Sequence, residues 1–181
     1  MFNPQMARLT VSSPWNRAFA ALAALLLANC SSSSSKRTTA DFYRGPPAEL
    51  NGTFAMAPQD APPAVHRAVQ AGNSVQNARY QYGGGHGKPS WGLDCSGTVS
   101  YVLRSSGLIK GAACSQEFRK FGNSGPGKWI SIYAKDGHAF MTIAGLRLDT
   151  GGSRGRGESG PRWRPAPRNV SGFKVRHPPG L

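Results

Sequence analysis

A cysteine, a histidine and an aspartate stand where folding could gather a thiol, an imidazole and a carboxylate. Cys95 follows Asp94 in the stretch Trp91-Gly92-Leu93-Asp94-Cys95-Ser96-Gly97. Asp is a strong helix N-cap, and Val99, Val102 and Leu103 recur with Cys95 at helical spacing. The cysteine therefore falls on the first turn of an amphipathic helix, which Gly107 closes. A thiol there meets unpaired backbone N–H groups and the positive end of the helix dipole, which favour the thiolate that attacks carbonyls. His138 opens an apolar run to Ile143 that reads as a strand, and Asp149 ends the next one, Leu146-Arg147-Leu148-Asp149. If Ala144-Gly145 is a two-residue turn, Asp149 lies opposite Phe140 and shares a face with His138, diagonally adjacent. A three-residue loop would put Asp149 on the other face. Cysteine, histidine and carboxylate in these places could serve as nucleophile, base and orienter in covalent catalysis. Singly, each has a plainer reading: a small buried hydrophobe, a turn histidine, a solvated strand end. Their combination is what points to chemistry.

The elements that must position these groups emerge in chain order. Residues 18–28 form an uncharged apolar run preceded by Arg8 and Arg17, with no acidic residue before Asp41. That run falls short of the ~20 residues a membrane span needs and has the length of a signal-peptide core. It ends in Leu27-Ala28-Asn29-Cys30 followed by five serines, which resembles a bacterial lipoprotein signal, with Asn29 where Gly, Ala or Ser is usual. The expectation is export: residues 1–29 a signal peptide, Cys30 lipidated, and the mature chain on a membrane surface. Residues 30–62 are rich in Ser, Pro and Ala without apolar period and read as a flexible tether; one domain then fills 63–181. A helix is predicted from Pro63 to about Asn77, on Val65, Ala68, Val69, Gly72 and Val75. Tyr80-Gln81-Tyr82-Gly83-Gly84-Gly85 is a short extended piece running into glycines that permit close backbone approach. No Gly-Lys-Ser/Thr follows, which excludes a P-loop. One or two helical turns are expected from Ser115 to Phe121, then strands at 128–134, 138–143, 146–149 and 172–176, with Asp136-Gly137 as a hairpin turn.

Composition narrows the function. The 181 residues carry 22 Lys and Arg against 8 Asp and Glu, a formal net charge of +14, which predicts an anionic partner or surface. Nucleic acid is not expected, because export and the lack of aromatic–basic recognition motifs argue against it. No Cys-x-x-Cys or His-Glu-x-x-His spacing occurs, so neither a catalytic metal nor another cofactor is predicted. Cys95 and Cys114 could pair in an oxidising compartment, but a domain with its own core has little need of one staple.

Set together, Tyr80-x-Tyr82-Gly83-Gly84, Gly92-x-Asp94-Cys95-Ser96-Gly97, His138 at a strand start and Asp149 at a strand end resemble the NlpC-type family of bacterial cell-wall cysteine peptidases. The resemblance spans roughly residues 63–178. It implies an α+β, papain-like fold in which N-terminal helices pack on a small antiparallel sheet. It also implies a monomeric endopeptidase that hydrolyses an amide bond in peptidoglycan stem peptides, often between D-glutamate and the third, diamino residue. On this resemblance Cys95 is the nucleophile, His138 the general base and then acid, and Asp149 the orienter. Tyr80 lines the site and, with the Cys95 N–H, stabilises the oxyanion, while Asp94 and Ser96 border the stem-peptide pocket. Asp149 stands where the family usually has His, Asn or Gln, a change that still holds a histidine N–H. Gly127-Lys128-Trp129 replaces the usual Gly-Asp-Leu before the histidine strand. That departure keeps a second expectation open, an inactive envelope- or peptidoglycan-binding lipoprotein of the same fold. The stretch bearing Arg154, Arg156, Arg162, Arg164 and Arg168 is expected to present a cationic surface to anionic envelope polymers.

Overall fold

The computed structural model describes residues 36–88, 90–151, 160–165 and 167–181. The expected signal peptide, Cys30, Arg154 and Arg156 lie outside the described residues. The described part is α+β, and its centre is a hairpin. The β-branched and aromatic run Ile130–Lys135 (β6) pairs antiparallel with His138–Ile143 (β7), Lys135 facing His138 across the Asp136-Gly137 turn. Gly137 has a φ of 74° there, which glycine adopts at little cost. The next turn is tighter in its demands. Ala144 and Gly145 have φ values of 44° and 78°, the doubly positive pattern of a type I′ hairpin. Ala144 is the one non-glycine in that region among the described residues. Its fully buried site holds it, with its N–H donating to the Trp129 carbonyl at 2.7 Å and its carbonyl accepting from the Ala48 N–H at 2.8 Å. The turn leads into Leu146–Asp149 (β8), with Ile143 facing Leu146 and Met141 facing Leu148. Continuing that register sets Asp149 opposite Phe140, as the two-residue turn requires.

Six strands complete this sheet, in the order β5-β10-β6-β7-β8-β9, where β5 is Asn123–Ser124, β9 Arg162–Arg164 and β10 Lys174–His177. Every pairing in it is antiparallel. Alternation along the central strands divides the apolar residues between two faces. Ile130, Ile132, Ala139, Met141, Ile143 and Leu148 join the helices in the main core, whereas Tyr133 and Phe140 form a second cluster with Val170. The helices are Pro63–Ser74 (α1), Cys95–Ser105 (α2) and Ser115–Phe118 (α3). Val65 and Val69 of α1 and Val99, Val102 and Leu103 of α2 supply their buried stripes. Helix α3 is capped by Cys114 instead of Ser115, with the Glu117 carboxylate accepting the Cys114 N–H at 2.6 Å.

The expected tether does not extend to residue 62. Thr39–Phe42 forms a 3-10 turn, and Glu49–Asn51 (β1) pairs with Phe54–Met56 (β2) as a hairpin. Ala48, Ala55 and Ala61 are in the main core, and the Asn73 carboxamide of α1 bonds both the N–H and the C=O of Ala55, at 2.8 and 2.9 Å. Single small residues and side-chain-to-backbone bonds anchor this segment, and neither leaves an apolar period in the sequence. The compact unit accordingly begins near residue 36 and not at 63.

The arginine-rich segment is likewise drawn into the fold. In β9 the Trp163 ring is buried against Gly72, where a Cβ would lie 2.3 Å from it. The indole N–H donates to Asn73 and the backbone N–H to Gln76, both at 2.8 Å. Arg162 donates to the Ala78 carbonyl at 3.0 Å and Arg164 to the Asp149 carbonyl at 3.2 Å. The guanidinium groups expected at a cationic surface thus cap buried carbonyls here.

Candidate active site

The glycine run builds the start of α2. Tyr80 belongs to a two-residue strand, Arg79–Tyr80 (β3), parallel to Gly92–Leu93 (β4), and faces Leu93. Between them the chain folds back so tightly that a Cβ on Gly97 would lie 1.9 Å from the Gly84 carbonyl oxygen. Only glycine allows the loop to close on the first turn of the helix. Asp94 caps that turn, one oxygen accepting the Gly97 N–H at 2.6 Å and the other the Gly83 N–H at 2.9 Å. His86 Nε2 donates to the same carboxylate at 3.0 Å, and Ser96 Oγ at 3.2 Å. Cys95, immediately after the cap, keeps an N–H with no acceptor within the helix.

Cys95 meets the sheet at the β6–β7 turn, its Sγ 4.0 Å from the Gly137 carbonyl oxygen. The next residue is His138. Its Nε2–H donates to Asp149 Oδ1 at 3.0 Å, and Cys95 lies near enough to raise the proton affinity of the imidazole. The three side chains named from the sequence are thus brought to one place, at the β6–β7 turn.

Asp149 is 1% exposed and holds four donors. Oδ1 accepts from His138 and from the Gly151 N–H at 2.8 Å; Oδ2 accepts from Arg147 at 2.6 Å and Arg168 at 2.5 Å. Burial by itself raises the carboxyl pKa. The His138 bond, the Arg168 charge and the Gly151 N–H outweigh it, and the group is held below the ordinary carboxylate range. For His138, burial pushes downward, but the bonds with Asp149 and Cys95 and their charges win, lifting the imidazole to about 9. His138 thus carries its proton through the neutral range, beside the sulfur.

A stability prediction follows. Because the folded-state pKa is above the unfolded value of 6.5, the stabilisation is fully present below that pH and disappears as pH rises through about 9. Urea unfolding is expected to give a free energy higher by roughly 2–3 kcal/mol at pH 6 than at pH 10, a difference set by the size of the shift. The His138→Gln variant should show less of that drop; an equal drop would assign it to other groups.

Asp94 and Ser96 are buried, and their bonds described above go to the loop, so they shape the helix start. Tyr80 is half-buried and pairs with Leu93 at the end of β3. Tyr82 and Trp91 are the aromatic side chains this loop leaves exposed, at 90% and 71%. Cys95 and Cys114 are both free thiols, so no disulfide diverts the sulfur. Three residues escaped the sequence reading. Arg168 lies among arginines with no period, Arg147 alternates with leucines as any solvent-facing strand residue would, and His86 lies inside a glycine run. Among the described residues, no group of three or more His, Cys, Asp and Glu side chains is placed to hold a metal ion. A cleft of about 630 Å³ lies beside the hairpin turn, lined by Cys114, Gln116, Glu117, Arg119, Lys120, Asp136 and Lys174. Compared with protein-family models, characterised proteins and solved structures, the chain matches none.

Proposed function

We propose that this protein is a thiol hydrolase of the NlpC-type, papain-like class that cleaves an amide bond in peptidoglycan stem peptides. The observation that carries the reading is the buried His138–Asp149 hydrogen bond beside the β6–β7 turn that the Cys95 sulfur meets, with that sulfur at a helix N-terminus. In this reading the thiol proton is held on His138 while Cys95 sulfur attacks the scissile carbonyl. The Cys95 N–H faces the developing oxyanion, with Tyr80 beside it. His138 then gives its proton to the leaving nitrogen, and the thioester forms as the C–N bond breaks. The neutral imidazole next takes a proton from water, whose oxygen displaces the sulfur. Stem peptides are proposed as substrate on the Tyr80-to-Gly97 motif, the lipoprotein-like signal ending at Cys30, and the net positive charge of a chain working among anionic envelope polymers. Lipidation of Cys30 would hold the enzyme at the membrane surface.

One observation favours the second reading, an inactive envelope-binding lipoprotein of the same fold. Cys95 and His138 are each only 8% exposed. Incubation of the protein with purified sacculi, followed by mass spectrometry of the soluble fragments, separates the two. Hydrolysis is expected from untreated protein and not from protein blocked with iodoacetamide. Sacculus binding without any released fragment would leave the binding module.

A further inference from the structure

Arg168 comes from a Pro- and Arg-rich segment with no sequence signal of its own, yet it lies in the wall of the site. Its Nη1 donates to Asp149 Oδ2 at 2.5 Å, and its guanidinium sits over two rings, 5.1 Å from the centre of Phe140 and 5.6 Å from that of Phe173. The same rings flank His138 at 6.1 and 6.2 Å. Imidazole and guanidinium thus share two aromatic walls and one carboxylate. Gly151 fits beside both, since a Cβ there would lie 2.9 Å from Arg168 Nη1 and 3.4 Å from His138 Cε1. The backbone of Arg168 is fixed as well: its N–H donates to Thr39 Oγ1 at 3.1 Å, and its carbonyl accepts the Thr39 N–H at 2.9 Å.

Charge compensation alone does not account for this. Arg147, with a side chain 4% exposed, already donates to Oδ2 at 2.6 Å, and His138 supplies a second cation at Oδ1. A further guanidinium on the same oxygen adds like-charge repulsion, since the Arg168 charge disfavours the charged form of Arg147. What Arg168 adds is direction. Two donors on Oδ2 and two on Oδ1 stop the carboxylate from turning, which keeps one Oδ1 lone pair aimed at His138 Nε2.

We infer that Arg168 is a positioning residue for the thiol centre, clamped between Phe140 and Phe173 so that it fixes the rotation and the ionisation of Asp149. This rests on reading Cys95, His138 and Asp149 as a reactive centre, but not on peptidoglycan as its substrate. The charged groups facing Asp149 are His138 from β7, Arg147 from β8, Arg164 from β9 and Arg168 itself. Removing the Arg168 cation makes Asp149 easier to protonate, and a neutral Asp149 no longer supports an imidazolium beside the sulfur. Thiol reactivity is then lost at a higher pH than in the native protein.

The test follows alkylation of Cys95 by iodoacetamide in the full chain from pH 4 to 9, read by peptide mass spectrometry, with exposed Cys114 as internal reference. In Arg168→Met, which keeps an apolar stem between the rings, the acid limb of the Cys95 profile is expected to move up by about one pH unit. Arg168→Lys should restore most of that shift, because it returns the charge. Thermal melts of both variants show whether they fold, and the lysine variant carries the comparison if the methionine one does not. A merely structural role lowers the melting temperature but leaves the limb in place. An unmoved limb in Arg168→Met, or equal shifts in both variants, overturns the inference. If native Cys95 is no more reactive than Cys114 at acid pH, the thiol centre fails and the inference falls with it.

Discussion

Cys95→Ala is expected to eliminate release of stem-peptide fragments from sacculi, a loss of at least about 10³-fold, while leaving the fold and sacculus binding in place. The side chain is small and sits at the first turn of α2, where Asp94 and the glycine loop, not the sulfur, hold the backbone. Losing the thiol therefore removes chemistry and little packing. His138→Ala should be nearly as severe, because in the proposed mechanism the imidazole takes the thiol proton and gives it to the leaving nitrogen. The two losses should not add. Groups that act as a unit are each worth almost the whole effect, so the double variant is expected to match Cys95→Ala. Rates on sacculi and binding by sedimentation are measured for the same preparations. A Cys95→Ala protein that still cleaves at more than a few per cent of the native rate would require another nucleophile.

How far the site could be read from sequence depended on the range of the interactions that make it. Asp94 as N-cap, the helical spacing after Cys95 and the hairpin at Ala144-Gly145 are local rules, and they placed three side chains correctly. The hairpin was decisive, because a two-residue turn fixes the parity of everything after it. The third residue's environment was not readable. Arg168 meets Asp149 across 19 residues, and nothing in its neighbours' types distinguishes it from Arg164 or Arg176. Arg176 spends its guanidinium on the Lys120, Phe121 and Gly122 carbonyls, a role equally silent in the sequence. Residues 38–62 were missed for a related reason. Their grip on the core is three alanines, a separate two-stranded hairpin, the unperiodic Phe42, Tyr43 and Leu50 and the isolated bridge between Thr38 and Asn169, and residues so scattered carry too weak a signal to mark a packed segment. The consequence bears on the site, since the second sheet face, with His138 and Asp149 on it, is covered by Phe42 from this segment together with Arg168, Val170 and Phe173. The Phe42 ring reaches Tyr133 at 6.2 Å, and Thr39 holds Arg168.

The aspartate is where fold and chemistry are hardest to separate, and Asp149→Ala should damage both. Its carboxylate lies between the Arg147 guanidinium, the Arg168 guanidinium and the His138 imidazolium, and its own side chain is fully buried. Truncation leaves Arg147 inside the protein without its anion, and removing one member of a buried ion pair costs about 3–5 kcal/mol. Arg168 is a quarter exposed and can turn to water, so Arg147 dominates that cost. Asp149→Asn separates the two effects. The amide keeps the volume and can still accept the His138 N–H, but it brings no charge, so the bond and the charge that lift the imidazole toward 9 both weaken. His138 should then titrate nearer its ordinary value, which proton resonances of the imidazole report directly, and hydrolysis should fall by about 10²–10⁴-fold, the range seen when an orienting carboxylate loses its charge. Urea unfolding completes the comparison: both variants leave Arg147 without its anion, and Asp149→Ala is expected to lose more stability than Asp149→Asn because it also removes the hydrogen-bond acceptor and the buried volume. Equal stability in Asp149→Ala and native protein would mean that the arginines reach solvent and that no buried network holds the histidine. A His138 titration unmoved in Asp149→Asn would instead make Cys95, and not the carboxylate, the partner that keeps the proton in place.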